Sequence, residues 1–298
     1  MTTRALRKML LLCCFLVPLL RPCNAQVRDL RVGFPGFFFN EFDIRDAKAA
    51  IEVWSKTALA NLTLDYVPTA VIITDIDQMK DLVTAAEVDL IDVPALDFFR
   101  FRGKNSLEPI LLGPAGDHWG DRFVLFVNQH SDIRGLEQLR GREIVLHPDG
   151  SEEIMRMWLD VELSNQGLPM NEDFFSRVKA VSKASQAALP VFFRQTDACL
   201  MKERIFDVLA ELNPQINEQL LSLRHSPRYI KELFCMTGRL KNGERQRIRE
   251  ACLQIGRDPS GKQILTLFKT HDVLPYRPEF SANLQELYRQ HQKLITAE

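Results

Sequence analysis

The sequence predicts an α/β protein in which parallel strands are covered by helices. Three observations support this. Between residues 30 and 93, short apolar runs alternate with stretches of helical spacing in a strand–helix–strand–helix–strand order. Two strand–turn–helix junctions stand out, at 89–94 and at 141–151. The 298 residues are generous for one such unit and comfortable for two.

Residues 30–33 read as the first strand, and Phe34-Pro35-Gly36 turns the chain. Residues 37–42 are unusually aromatic. A helix follows from about Asp43, its N-cap, to Leu59, because Ala47, Ala50, Ile51 and Trp54 fall on one face. Residues 62–67 form the second strand, ended by Pro68, which lacks an N–H for a ladder. A helix over 75–87 and a strand over 90–93 complete the run. Parallel neighbours require crossover helices of this kind.

Gly113-Pro114-Ala115-Gly116 is a loop, and 123–128, FVLFVN, is a strongly apolar strand. Residues 131–133 begin a short helical turn. The apolar run 142–146 is broken by His147-Pro148-Asp149-Gly150, and from Ser151 a helix places Ile154, Met157, Trp158 and Val161 on one face. Strands follow at 174–181, 196–201, 221–224 and 232–236. Helices occupy 185–194 (broken or ended near Pro190), the stretch up to about 210, then 245–255, 260–269 and 284–295. There is no internal repeat.

Residues 1–25 stand apart from the fold. Arg4, Arg7 and Lys8 precede a 12-residue apolar run over 9–20, too short to span a bilayer comfortably, and Ala25 supplies a small residue for cleavage before Gln26. This is the pattern of a secretory signal peptide, with an uncleaved anchor as the alternative. Removing it, with four Lys/Arg and no acid, shifts the formal net charge from −1 to −5. A mildly acidic chain lacks the basic surplus of a nucleic-acid binder. Of six cysteines, Cys199, Cys235 and Cys252 lie beyond the leader. They allow one disulfide, Cys235 with Cys252, or three buried thiols. Asn61-Leu62-Thr63 is a glycosylation sequon, relevant only in a eukaryotic secretory route.

No Gly-rich phosphate loop, G-x-S-x-G, H-E-x-x-H or C-x-x-C occurs, and no two histidines have metal-ligand spacing. The reading is therefore of a non-enzymatic protein without cofactor or metal.

Four stretches, in order, carry a family likeness. They are 89–96 after the third strand; 122–142, RFVLFVNQHSDIRGLEQLRGR; 141–151; and 258–265, DPSGKQIL, followed by Leu274-Pro275. With them the chain resembles the periplasmic solute-binding proteins of the phosphate/phosphite/phosphonate (PhnD-like) type. The resemblance implies a type 2 periplasmic-binding-protein fold of two lobes, each a mostly parallel sheet flanked by helices. Lobe 1 would span 27–122 plus 227–298, and lobe 2 129–221. A two-strand hinge would cross at 123–128 and 222–226. It further implies a periplasmic location and a small ligand in the inter-lobe cleft, phosphonate-like, amino-containing or zwitterionic. The partner would be the membrane permease of an ABC transporter. In the alternative reading, the same fold senses a ligand for a membrane histidine kinase or cyclase.

Candidate ligand contacts are set beside their structural readings. Phe34 ends the first strand, at a contact or an ordinary turn. Asp92 ends the third, where it accepts a cationic group or holds a loop. Gly150 and Ser151 fill the place where the family presents hydroxyls and amides to a phosphonate oxyanion, an arrangement suited to a helix N-terminus. Here that cluster is reduced to Gly150-Ser151-Glu152-Glu153, and Asp149 and Glu152 have capping-box spacing, so acids compete for the helix dipole. Asp197 matches the family's strand-borne acid for a ligand ammonium, or caps a loop. Arg122 and Ser226 lie by the hinge strands, and His147 ends a strand as contact or turn residue. Phe98 and Phe99 replace a usual tyrosine and remove an O–H donor.

Overall fold

A computed structural model describes residues 28–36, 43–60, 66–101, 107–114, 118–257, 259, 262, 265–266, 270 and 272–297. The leader, the aromatic stretch 37–42, the sequon asparagine and most of 258–269 lie outside them. In the first part, β1 (Arg28–Pro35), α1 (Ile44–Ala60), β2 (Tyr66–Ile73), α2 (Ile76–Thr84), β3 (Leu90–Pro94), α3 (Ala95–Phe101) and β4 (Glu108–Leu112) follow one another. Then come β5 (Asp121–Asn128), β6 (Glu143–His147), α4 (Glu152–Ser164), α5 (Asn171–Phe174), β7 (Arg177–Ala180), α6 (Ala184–Phe192), β8 (Ala198–Lys202), α7 (Glu203–Leu212), α8 (Pro214–Gln219) and β9 (Leu220–Tyr229). The chain ends with β10 (Glu232–Met236), α9 (Asn242–Gln254), β11 (Leu274–Pro275) and α10 (Pro278–Ala297).

Two sheets result, in the orders β11-β4-β10-β3-β1-β2 and β7-β6-β8-β5-β9. Both are mixed. Each contains a parallel triplet, β2-β1-β3 or β7-β6-β8, followed by a strand running the other way, β10 or β5. Those two antiparallel strands are the ones fed from the other sheet. The chain leaves the first sheet after β4 and enters the second at β5; it returns from β9 to β10 through Ile230 and Lys231. Residues 123–128 and 222–226, expected as crossings, pair with each other inside the second sheet.

Direction fixes what these passages join. Phe123 is in register with Lys202 at the carboxyl end of β8, and Asp121 with Tyr229. Glu232 is in register with Pro94 at the carboxyl end of β3. Both passages thus run between the carboxyl-end sides of the two sheets, where the loops and helix N-termini of an α/β sheet gather.

The structure departs locally from the sequence expectation. β2 runs through Pro68 and on to Ile73, because β2 is an edge strand and a missing N–H on the open side breaks nothing. β4, EPILL, carries no strand signal of its own and is ordered by its pairing with β10. β9 is extended through Ser226-Pro227 at a register shift, where the Ser226 hydroxyl accepts from the amide of Phe123 at 2.8 Å.

The largest apolar cluster is shared by both sheets. It joins Ile91, Phe98 and Phe99 to Leu125, Leu146 and Trp158, with Leu284 and Leu287 of α10 between them. Tyr288 stacks on Phe99, so the position expected to carry a ligand-facing aromatic is used for packing. Cys199, Cys235 and Cys252 are all free and buried, so the disulfide alternative does not hold. Burial pushes the Cys199 and Cys252 thiols up to about 12, and Cys235 is raised as well. Thiolate is the reactive form, so these groups are inert in the folded protein. No helix among the described residues is long and apolar enough to cross a membrane. Mass-spectrometric mapping of native alkylation at pH 8 should find all three thiols unlabelled until denaturant is added; rapid labelling of any one would contradict their placement.

Candidate ligand-binding site

The turn after β6 anchors the site. Asp149 and Gly150 have φ of 44° and 78°, and the Ser151 amide donates to the Pro148 carbonyl at 2.9 Å. Two successive positive φ values are what Asp-Gly tolerates and most residues do not. The turn delivers the chain to α4 with Ser151 as N-cap, buried but with its hydroxyl making no capping bond. The expected Asp149–Glu152 capping box is absent: Glu152 pairs with Arg156 at 2.8 Å, and the Asp149 carboxylate points elsewhere.

It points to Lys202, the last residue of β8. Lys202 is 1% exposed, yet its ammonium lies 2.9 Å from Asp121 Oδ2 as an ion pair and donates to Asp149 Oδ2 at 3.1 Å and to the Asp149 carbonyl at 3.0 Å. Arg204, at the start of α7, grips the same two carboxylates, reaching Asp121 at 2.8 Å and Asp149 at 2.9 Å. Two cations and two anions neutralise each other. Asp149 is half-exposed; burial works against its charge, but Lys202 and Arg204 outweigh it and hold the carboxyl below its usual value.

The first sheet meets this cluster through Lys231, in the passage from β9 to β10. A Cβ on Gly150 would sit 3.1 Å from Lys231 Cε, so the glycine admits both the turn and the lysine stem. Lys231 lies 3.6 Å from Glu232. Burial lowers its basicity, but Glu232, Asp149, Asp92 and Asp121 more than restore it. Next to it, Asp92 at the end of β3 is buried, and its carboxyl is raised well above the usual range, by burial first and then by Glu232.

Asp92 and Glu232 are among the residues lining a pocket of about 70 Å³ that opens to solvent. Phe34, Trp54, Phe234, Leu111, Leu112 and Val273 are among the residues that line the rest. The three aromatic rings touch one another, with centroids 5.1 to 5.7 Å apart and Trp54 edge-on to both phenylalanines. The lining is the usual mixture of apolar wall and few polar groups.

Of the sequence-derived candidates, Phe34, Asp92, Gly150 and Ser151 come to the carboxyl-end side of the sheets. His147 is there too, buried, with Nε2 3.3 Å from the Ser182 carbonyl. Arg122 lies in β5, 3.5 Å from Glu203, and Ser226 is committed to the backbone of the β5–β9 pair. Asp197 is not in this group. It precedes β8, at the amino end of the parallel strands, where it accepts from the Glu143 amide at 3.0 Å and from Arg142 at 3.2 Å. Its short reach from the amino end of β8 pins β6 instead. Sequence reasoning missed Asp121, Lys202, Arg204, Lys231 and Glu232. A lysine closing a strand reads as a solvent-facing residue, and only the turn that brings Asp149 over it shows otherwise.

The arrangement is that of a binding protein whose two sheets present their carboxyl ends to one another. A family model described as ABC transporter, phosphonate, periplasmic substrate-binding protein matches residues 58–279, more than half of the chain, and the chain belongs to that family. It is a family of extracytoplasmic transport components, not of enzymes. No curated protein matches the chain in sequence. Among solved structures, XAC2383 from Xanthomonas citri bound to ATP is similar at a TM-score of 0.65 with 18% identity, over 90% of this chain and 98% of that one. PhnD1 from Prochlorococcus marinus in complex with methylphosphonate gives 0.58 and 17%, over 89% and 99%. A binding protein component of an ABC phosphonate transporter from Pseudomonas aeruginosa gives 0.56 and 15%, over 91% and 88%. At these identities the likeness shows a shared type 2 fold.

Two outcomes test the cluster. Lys202→Met should lower the free energy of unfolding by about 3 kcal/mol, the low end for breaking a buried pair, because Arg204 still faces both carboxylates. A loss below 1 kcal/mol by denaturant titration would contradict it. Because the Asp149 carboxyl is depressed in the folded state, its contribution is present above the unfolded value and lost as pH falls through the folded one. Asp149→Asn should therefore flatten the acid limb of the stability–pH profile below about pH 4; an unchanged limb would contradict the pairing.

Proposed function

We propose that this protein captures a small solute in the cleft between its two sheets, outside the cytoplasm, and delivers it to the membrane permease of an ABC transporter. The observation that carries the reading is the convergence of Gly150, Ser151, Lys231, Glu232, Asp92 and Phe34 on the side where both inter-sheet passages lie. On this reading the first sheet with its helices forms one lobe and the second sheet, β5 and β9 included, with its helices the other. They close about the two passages between the sheets, one after β4 and one after β9. Arg122 and His147 flank the cleft. The signal peptide at 1–25 brings the chain to the periplasm.

The cluster constrains the ligand. Lys202 and Arg204 already hold two carboxylates, and Asp149 lies where a family ligand would meet a helix N-terminus. A bare oxyanion would have to displace it. An amino-containing or zwitterionic solute meets no such obstacle. The same filled anion pole also supports a ligand-sensing role, with a membrane kinase or cyclase as the partner in place of a permease. Pull-down from membranes separates the two.

A panel of amines, amino acids, quaternary ammonium compounds, phosphonates, phosphate and sugars should contain at least one compound that raises the melting temperature and shrinks the radius of gyration by small-angle scattering. At one hundred times its Kd a ligand adds about 2.7 kcal/mol, several degrees for a domain of this size. Silence across the whole panel would contradict solute capture.

A further inference from the structure

Asp92 is an acid placed against the grain of its surroundings. It interrupts LIDVP, a strand otherwise fit for the core, and is 9% exposed. On β3 it sits opposite Phe234 of β10, on the sheet face that carries Phe34 and Trp54. Among the described residues no side chain hydrogen-bonds its carboxyl, although it lines the pocket. Glu232, the second acid of the pocket, has one buried oxygen, Oε2, without a hydrogen-bond partner, and Lys231 3.6 Å away. A buried carboxyl left without side-chain partners is costly, and an apolar residue at this position would pack without that cost.

The chemistry of the walls narrows what would compensate it. Phe34, Trp54 and Phe234 supply apolar, aromatic lining, and aromatic rings favour a cation over an anion. Leu111 and Val273 can contact alkyl groups. An oxyanion would face the Glu232 carboxylate at low dielectric and offer no charge to balance an ionised Asp92. A neutral solute would leave Asp92 as it is. An ammonium group bearing alkyl substituents satisfies the charge and the apolar walls together.

We propose that this pocket receives the alkylated ammonium group of the transported solute, with Asp92 as its counter-ion, Glu232 beside it, and Phe34, Trp54 and Phe234 as its walls. This rests on the solute-binding reading and adds the chemical class of the ligand's head group. Burial and Glu232 hold the Asp92 carboxyl protonated well above the usual range, against the pull of Lys231 and the Val93 amide. Cys235, on β10, points to the opposite face of the sheet; burial first and then Asp92 raise its thiol, which stays neutral. The incoming cation therefore displaces the Asp92 proton to solvent, and affinity grows with pH.

The test is calorimetric titration of the full chain with choline, n-butylammonium, methylphosphonate and 3,3-dimethyl-1-butanol, the uncharged counterpart of choline. The expected result is that choline or butylammonium binds and the neutral alcohol binds at least tenfold more weakly. Affinity for the cation should rise at least threefold from pH 5 to pH 8. Asp92→Asn should weaken the cation at least tenfold and leave the neutral alcohol unchanged. Glu232→Gln, on the exposed side of the pocket, should weaken it at least threefold and serves if Asp92→Asn does not fold. Equal binding of choline and the neutral alcohol, full cation affinity in a folded Asp92→Asn or in Glu232→Gln, or no binding of either cation overturns the proposal. If methylphosphonate or another panel compound binds while both cations fail, the solute-binding reading survives and the ammonium assignment does not.

Discussion

A buried ammonium cannot stand alone in a protein interior, and Lys202 has to be answered by carboxylates. Asp121 comes from the first residue of β5, Asp149 from the turn after β6, and Lys202 itself from the end of β8. Three strands of the second sheet are tied at their cleft-side ends by one point charge, and Arg204 repeats the tie from α7. The interaction fixes the course of the turn. Asp149 must adopt a positive φ to reach Lys202, Gly150 must follow it, and Lys231 then packs where any larger residue would carry a Cβ.

This has a consequence for specificity. The turn after β6 leads into a helix N-terminus, a place that attracts anions. In this chain Asp149, from the same turn, gives its charge to Lys202 and Arg204, so the cations beside that helix start are already paired. On the proposed reading selectivity falls to the first sheet, where Asp92, Glu232 and three aromatic rings line one pocket. The two sheets differ: the second carries a closed charge balance, the first a buried acid beside three aromatic rings.

Much of the fold was legible. The junction at 141–151 was readable because an apolar strand, a Pro-Asp-Gly break and a helical stripe each leave a local mark. The carboxyl-end location of Phe34, Asp92, Gly150 and Ser151 followed from strand direction alone. What was hidden depends on partners distant in sequence. Pro68 reads as a strand terminator unless β2 is known to be an edge. β4 is made by β10, more than a hundred residues later. Asp197 matched a ligand contact by position, but the parallel pairing of β8 with β6 puts it at the wrong end of the sheet. Lys202 carried no signal, because a strand-ending lysine and a buried one look alike until the acids arrive.

The account turns on whether the carboxylate of Asp149 fills the anion pole of the cleft. The most direct measurement is the affinity for methylphosphonate, by titration calorimetry, of the wild-type protein against Asp149→Asn. Asparagine keeps the shape and tolerates the positive φ while removing the charge. The account predicts that the variant binds methylphosphonate at least tenfold more tightly than the wild type. Equal or weaker binding by a folded variant would contradict it.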